Sequence, residues 1–259
     1  PGFRPHSSRN EPWAFPGAEQ FQTELAQNSG SIGHFDSEDE WLSRLKPDII
    51  IAFFGYSESF NGPDGVDLYK KELEAFIRHT KKQKYNDKSA AQLALVSPIA
   101  FEDLSNLMDL PDGKEENKNL ALYTKAMQEV AAKEEVLFVN AFDSSKKWFE
   151  IENEPLTADG FQLNDLGYYE FSSFLVDAVF GSKRRVASEN ELLVKAAVLE
   201  KNWMWHNDIK IPNGVHAYGR RFDPFGPDNY PAEVEKIREM TAIRDTAIWE
   251  AAHGKTKDI

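Results

Sequence analysis

A three-layer α/β/α sandwich on a mostly parallel sheet is the fold this sequence predicts, and two observations predict it. Three short apolar runs, Ile49-Ile50-Ile51-Ala52-Phe53-Phe54, Leu93-Ala94-Leu95-Val96 and Val136-Leu137-Phe138-Val139, are rich in strand-favouring residues and stop at Gly55, Ser97 and Asn140. Amphipathic helical patterns alternate with them, and strand–helix alternation is the signature of parallel strands joined by crossover helices.

After the first run, Tyr69, Leu73, Phe76 and Ile77 recur at the helical period. After the second, Leu120, Tyr123, Met127, Val130 and Ala131 form another stripe. After the third come Phe171, Phe174, Leu175, Ala178 and Val179, with Gly181 as a helix stop. Residues 1–181 read as this domain and 182–259 as a helical extension. Within the extension, the pattern predicts a helix over 191–205 packing through Leu192, Leu193, Ala196, Leu199 and Trp203. An aromatic, Gly- and Pro-rich loop follows over 207–230. A last helix starts at Pro231, a good first-turn residue, and reaches Gly254, packing through Ile237 and Ile248.

Composition narrows the chemistry. Thirty basic against 43 acidic residues give a net charge of −13, which argues against nucleic acid or an anionic membrane surface as a partner. The basic runs at Lys81-Lys82-Gln83-Lys84 and Lys183-Arg184-Arg185 follow amphipathic segments and read as solvated helix ends. No cysteine is present, so disulfides, thiolate metal sites and a cysteine nucleophile are excluded within these residues. No apolar run approaches the ~18 residues of a membrane span. No metal-ligand spacing, phosphate-binding loop or cofactor motif is present, so the reading calls for no metal and no cofactor.

Two segments carry the chemistry: Phe53-Phe54-Gly55-Tyr56-Ser57-Glu58-Ser59-Phe60 at a strand's carboxyl end, and Leu156-Thr157-Ala158-Asp159-Gly160-Phe161-Gln162-Leu163-Asn164 before a helix. On local grounds Asp159 before Gly160 is a turn cap, Gln162 a loop-holding amide, Ser57 a strand-end turn residue and Glu58 a partner for a nearby basic group. Together, in this strand–helix order, the segments resemble two signature blocks of the SGNH (GDSL-like) hydrolases, whose domain has a flavodoxin-like α/β/α architecture. The resemblance covers residues 9–181. It implies that Gly55, Ser57 and Glu58 line the ester-binding site, with Ser57 at the oxyanion-hole Asn position. Asp159 stands at the triad acid and Gln162 at the position of the histidine base. The block containing Asn10 would supply a further substrate contact, and the nucleophile block would precede Pro1.

The resemblance narrows further on Val96-Ser97-Pro98-Ile99-Ala100-Phe101-Glu102-Asp103 and Leu110-Pro111-Asp112-Gly113-Lys114. These are similar to the bacterial subgroup that precedes haem-binding Cys-x-x-Cys-His regions in large exported proteins. That implies a periplasmic or extracellular setting, neighbouring domains as partners, and an ester ligand, carbohydrate O-acyl groups among them. Serine ester hydrolysis needs a base that takes the hydroxyl proton, and a carboxamide cannot serve. The reading is therefore of a hydrolase domain with a degraded signature, or of a silent relative that binds or docks. His34 is the first alternative base. The other histidines read as surface or packing residues.

Overall fold

The computed structural model describes residues 38–152, 154–181, 188–210 and 222–255, and the expectations for Asn10, the residues around it and His34 lie outside them. The described residues form two compact units, 38–181 and 188–255. No helix among them is long and apolar enough to cross a membrane.

In the first unit, helix α1 (Glu38–Leu45) leads into β1 (Ile49–Phe53), α2 (Val66–Lys82), β2 (Gln92–Val96), α3 (Lys114–Lys133) and β3 (Leu137–Val139). Helices α4 (Ala141–Ile151) and α5 (Asp165–Phe180) close it. The strands lie in the order β1-β2-β3 and pair in parallel, Ile49 opposite Gln92 and Ala94 opposite Leu137. Each predicted strand is present.

Strand alternation sorts the core onto two faces. Ala52, Leu93 and Leu95, with Ile50 and Phe138, meet Tyr69, Leu73, Phe76 and Ile77 of α2 and Tyr123, Met127 and Val130 of α3. On the other face, Val96 and Val139, with Ile51, meet Phe171, Phe174, Leu175, Ala178 and Val179 of α5. Helices thus cover both faces, which makes three layers. The strongly buried stripes of α2 and α3 are the ones their sequences predict. Truncating a fully buried residue such as Leu95 to alanine costs about 2–5 kcal/mol.

Helix α4 is set by its cap. The Asn140 side chain accepts the Asp143 N–H at 3.0 Å, satisfying a donor the helix leaves open. Helix α5 has the same device, with Asn164 Oδ1 accepting the Gly167 N–H at 2.9 Å.

The second unit is a hairpin of α6 (Ser188–Lys210) and α7 (Phe222–Ala252). Helix α7 begins nine residues before Pro231, so Pro227 and Pro231 lie inside it and each forfeits a backbone donor. The predicted contact residues need correction. Leu192, Leu199 and Trp203 are 78%, 58% and 63% exposed. The face turned inward is one residue round: Leu193, Val194, Ala197, Val198 and Met204, against Val234, Ile237, Ala247, Ile248 and Ala251. Helix α6 is apolar on both sides, so its periodicity does not choose between them.

Candidate functional site

The parallel sheet puts the carboxyl ends of β1 and β2 on one side, where α/β sheets carry their ligands. Beyond β1 the chain turns sharply at Gly55, whose φ of +101° disfavours any side chain. A Cβ there would lie 3.2 Å from both Pro98 Cδ and the Tyr69 hydroxyl. The turn is closed by Glu58, whose Oε2 accepts the Gly55 N–H at 2.9 Å. Ser57 is half-buried and stands at the residue before the short 3₁₀ turn Glu58–Asn61, with no capping hydrogen bond from its side chain. Below it, the Tyr69 hydroxyl is buried without a hydrogen-bond partner. Burial, and then the nearby Glu58 charge, push that phenol well above its ordinary range.

The second segment, 156–163, is a closed loop. Thr157 bridges Leu163, and the Ala158 N–H donates to the Gln162 carbonyl at 2.8 Å. Inside it, Asp159 Oδ1 accepts the N–H groups of Phe161, at 3.0 Å, and Gln162, at 2.6 Å. This is the geometry of an Asp folded back on its own turn. The Gln162 residue is exposed.

The two segments meet. The Tyr56 ring stacks on Phe161, centroids 3.3 Å apart and planes 13° from parallel. Gly55, Ser57 and Glu58 therefore stand on the same side of the sheet as Asp159 and Gln162. A cleft of about 120 Å³ opens beside Tyr56, lined by Ser59, Phe60, Glu116, Asn119 and Leu120.

Sequence reasoning gave no role to the residue that organises this loop. Glu102 follows β2, is 7% exposed, and turns its carboxylate into the base of the loop. Oε2 accepts the Thr157 N–H at 2.8 Å and the Thr157 hydroxyl at 2.6 Å, while the Leu156 N–H lies 3.1 Å from both oxygens. The Glu102 N–H in turn donates to the Gly160 carbonyl at 2.8 Å, and the Thr157 hydroxyl accepts the Gly160 N–H at 3.0 Å. Phe101 seats the other side: a Cβ on Gly160, which has φ +85°, would lie 2.5 Å from Phe101 Cζ. The available signal was an acid directly after the apolar run Ile99-Ala100-Phe101.

His79 lies in the last turn of α2, which runs back from the strands' carboxyl ends, so it lies at the far side of the sheet. There its Nε2 is 2.8 Å from Asp39, which also accepts the Tyr85 hydroxyl at 2.5 Å. No cluster of three or more metal-ligating His, Cys, Asp or Glu residues occurs among the described residues.

No family model matches the chain, and no curated protein matches it. Among solved structures, the chain is similar at a TM-score of 0.45 and 14% identity to a mutant of Axe2, an acetyl-xylooligosaccharide esterase from Geobacillus Stearmophilus. The likeness covers 64% of this chain and 70% of that one, and at that score it carries no residue's role across.

Proposed function

We propose that residues 1–181 are an SGNH/GDSL-type domain that has kept the family's architecture and lost its hydrolytic chemistry. It binds its ligand at the carboxyl ends of the strands without turning it over. The ligand class is a carboxylic ester, with carbohydrate O-acyl groups the form the family resemblance favours. The setting is a larger exported protein whose neighbouring domains this one docks.

The observation that carries the reading is the carboxamide of Gln162, exposed on the loop at the position where the resemblance puts the base. In a serine triad the acid orients the imidazole that takes the hydroxyl proton. Here Asp159 Oδ1 accepts two backbone N–H groups of its own turn, and the position of the imidazole holds Gln162. A carboxamide neither accepts nor returns a proton near neutral pH. Glu58 occupies the Gly55 N–H, a backbone donor at the strand end.

Losing the base typically costs on the order of 10⁴–10⁶ in rate. The protein should hydrolyse activated aryl acetates no faster than an unrelated protein. Gln162→His, alone and with Ser57→Asn, is the natural comparison. Turnover by the unmodified protein at ordinary enzymatic rates would show that another residue acts as base, and the silent reading would fail.

A further inference from the structure

Helix α6 has two apolar stripes on opposite sides, and among the described residues only one has a partner. Leu193, Val194, Ala197, Val198 and Met204 turn towards α7, flanked by ion pairs of Glu200 with Arg244 and Lys201 with Asp245. On the opposite side Leu192, Ala196, Leu199 and Trp203 are exposed. Their steps of four, three and four residues are those of a coiled-coil seam. A helix apolar on two sides is built to be covered on both.

We propose that this second face pairs with the same face of a second copy of the chain, antiparallel, about a two-fold axis passing between Ala197 and Val198. The stripe is complementary to itself in that orientation alone. Leu192 then meets the partner subunit's Trp203, and Ala196 meets the partner subunit's Leu199, a small residue that lets the helices approach. One layer further out, exposed Glu189 meets the partner subunit's exposed His206, a carboxylate against an imidazole donor. The flanking Lys195 meets the partner subunit's Asn202, so no like charges oppose each other. Every contact is repeated by the two-fold, as an isologous interface requires. A parallel pairing in register would set Glu189 against its own copy and crowd the two Trp203 rings together.

One helix–helix contact sits at the small end of stable interfaces, so the dimer is expected to be concentration-dependent, with a dissociation constant in the micromolar range. Sedimentation equilibrium on the full chain, over a concentration series spanning that range, should show monomer–dimer exchange. Leu199→Glu and Trp203→Glu should each weaken it about tenfold or more, the loss expected of one central apolar anchor. H206E sets two carboxylates together and should weaken it, whereas the double variant E189K/H206E restores an opposite-charge layer and should recover it. That recovery separates a broken interface from a misfolded helix. A chain monomeric throughout the range overturns the proposal, as does a dimer indifferent to Leu199→Glu, or a charge swap that fails to recover what H206E loses.

Discussion

Removing the Glu102 carboxylate tests how the candidate loop is held. In Glu102→Ala the N–H groups of Leu156 and Thr157, two buried residues, lose their acceptor, and the Thr157 hydroxyl loses its strongest partner. A buried donor left without a partner costs about 1–3 kcal/mol, and bonds to a charged acceptor sit at the upper end. Since the hydroxyl can turn and the loop can relax, the expected loss is about 3–5 kcal/mol. In Glu102→Gln, a carbonyl at the Oε2 position keeps both Thr157 bonds, but the amide N–H₂ is set against the Leu156 N–H. The expected loss is then about 1–2 kcal/mol. Urea denaturation of the full chain measures both. In thermal unfolding, at about 2–4 °C per kcal/mol for a domain of this size, the alanine variant should melt roughly 6–20 °C lower. Amide exchange at Leu156 and Thr157 should accelerate in the alanine variant more than exchange in β2. An alanine variant within 1 kcal/mol of the parent, or unchanged exchange at those two amides, refutes the account of the loop.

Gly160→Ala should cost about 2–4 kcal/mol, because it sets a side chain at positive φ and drives a methyl group into the Phe101 ring; denaturant midpoints read it, and a neutral result would mean the loop is looser than described. Burial raises the Asp39 carboxyl, but its bonds to His79 and Tyr85 outweigh that and leave it below the ordinary value of 3.8. A depressed folded value means stability is present above 3.8 and lost as pH falls below it. Asp39→Asn should therefore be less stable than the parent at pH 7, with the gap closing under acid; a gap constant across that window would refute it. Tyr69→Phe removes a buried hydroxyl with no partner and should be neutral or stabilising by up to about 1 kcal/mol, judged by the same denaturation.

The fold was legible where one period dominates. The runs at 49–54 and 93–96 carry strand-forming residues and end at Gly55 and Ser97, so β1 and β2 fall within a residue of expectation. Val136 packs into the core just ahead of β3, which pairs with β2 only from Leu137 onward. Helix α4 escaped notice because its signal is a polar cap, Asn140 to Asp143, rather than a clean apolar stripe. In α6 the apolar residues encircle the helix, and the inward face is decided by where α7 lies, which periodicity does not encode.

At the candidate site, the sequence located both segments correctly relative to one side of the sheet, because strand ends and helix starts fix that side. What it left open is which atoms each carboxylate faces. Asp159 before Gly160 carries a local turn signal, whereas nothing in the neighbours of Glu102 marks it as an acid buried under another segment. Long-range geometry separates them: Glu102 reaches residues 54 and 55 positions away, whereas Asp159 bonds within three. The loop that would present a catalytic acid is thus held from below by Glu102, from the side by Phe101 against Gly160, and from within by Asp159 itself. A scaffold hydrogen-bonded in this way uses the backbone of residue 162, through Ala158 and Asp159, and not its side chain. The loop architecture therefore does not depend on which side chain stands at position 162, and Gln162→His should leave the stability of the loop unchanged.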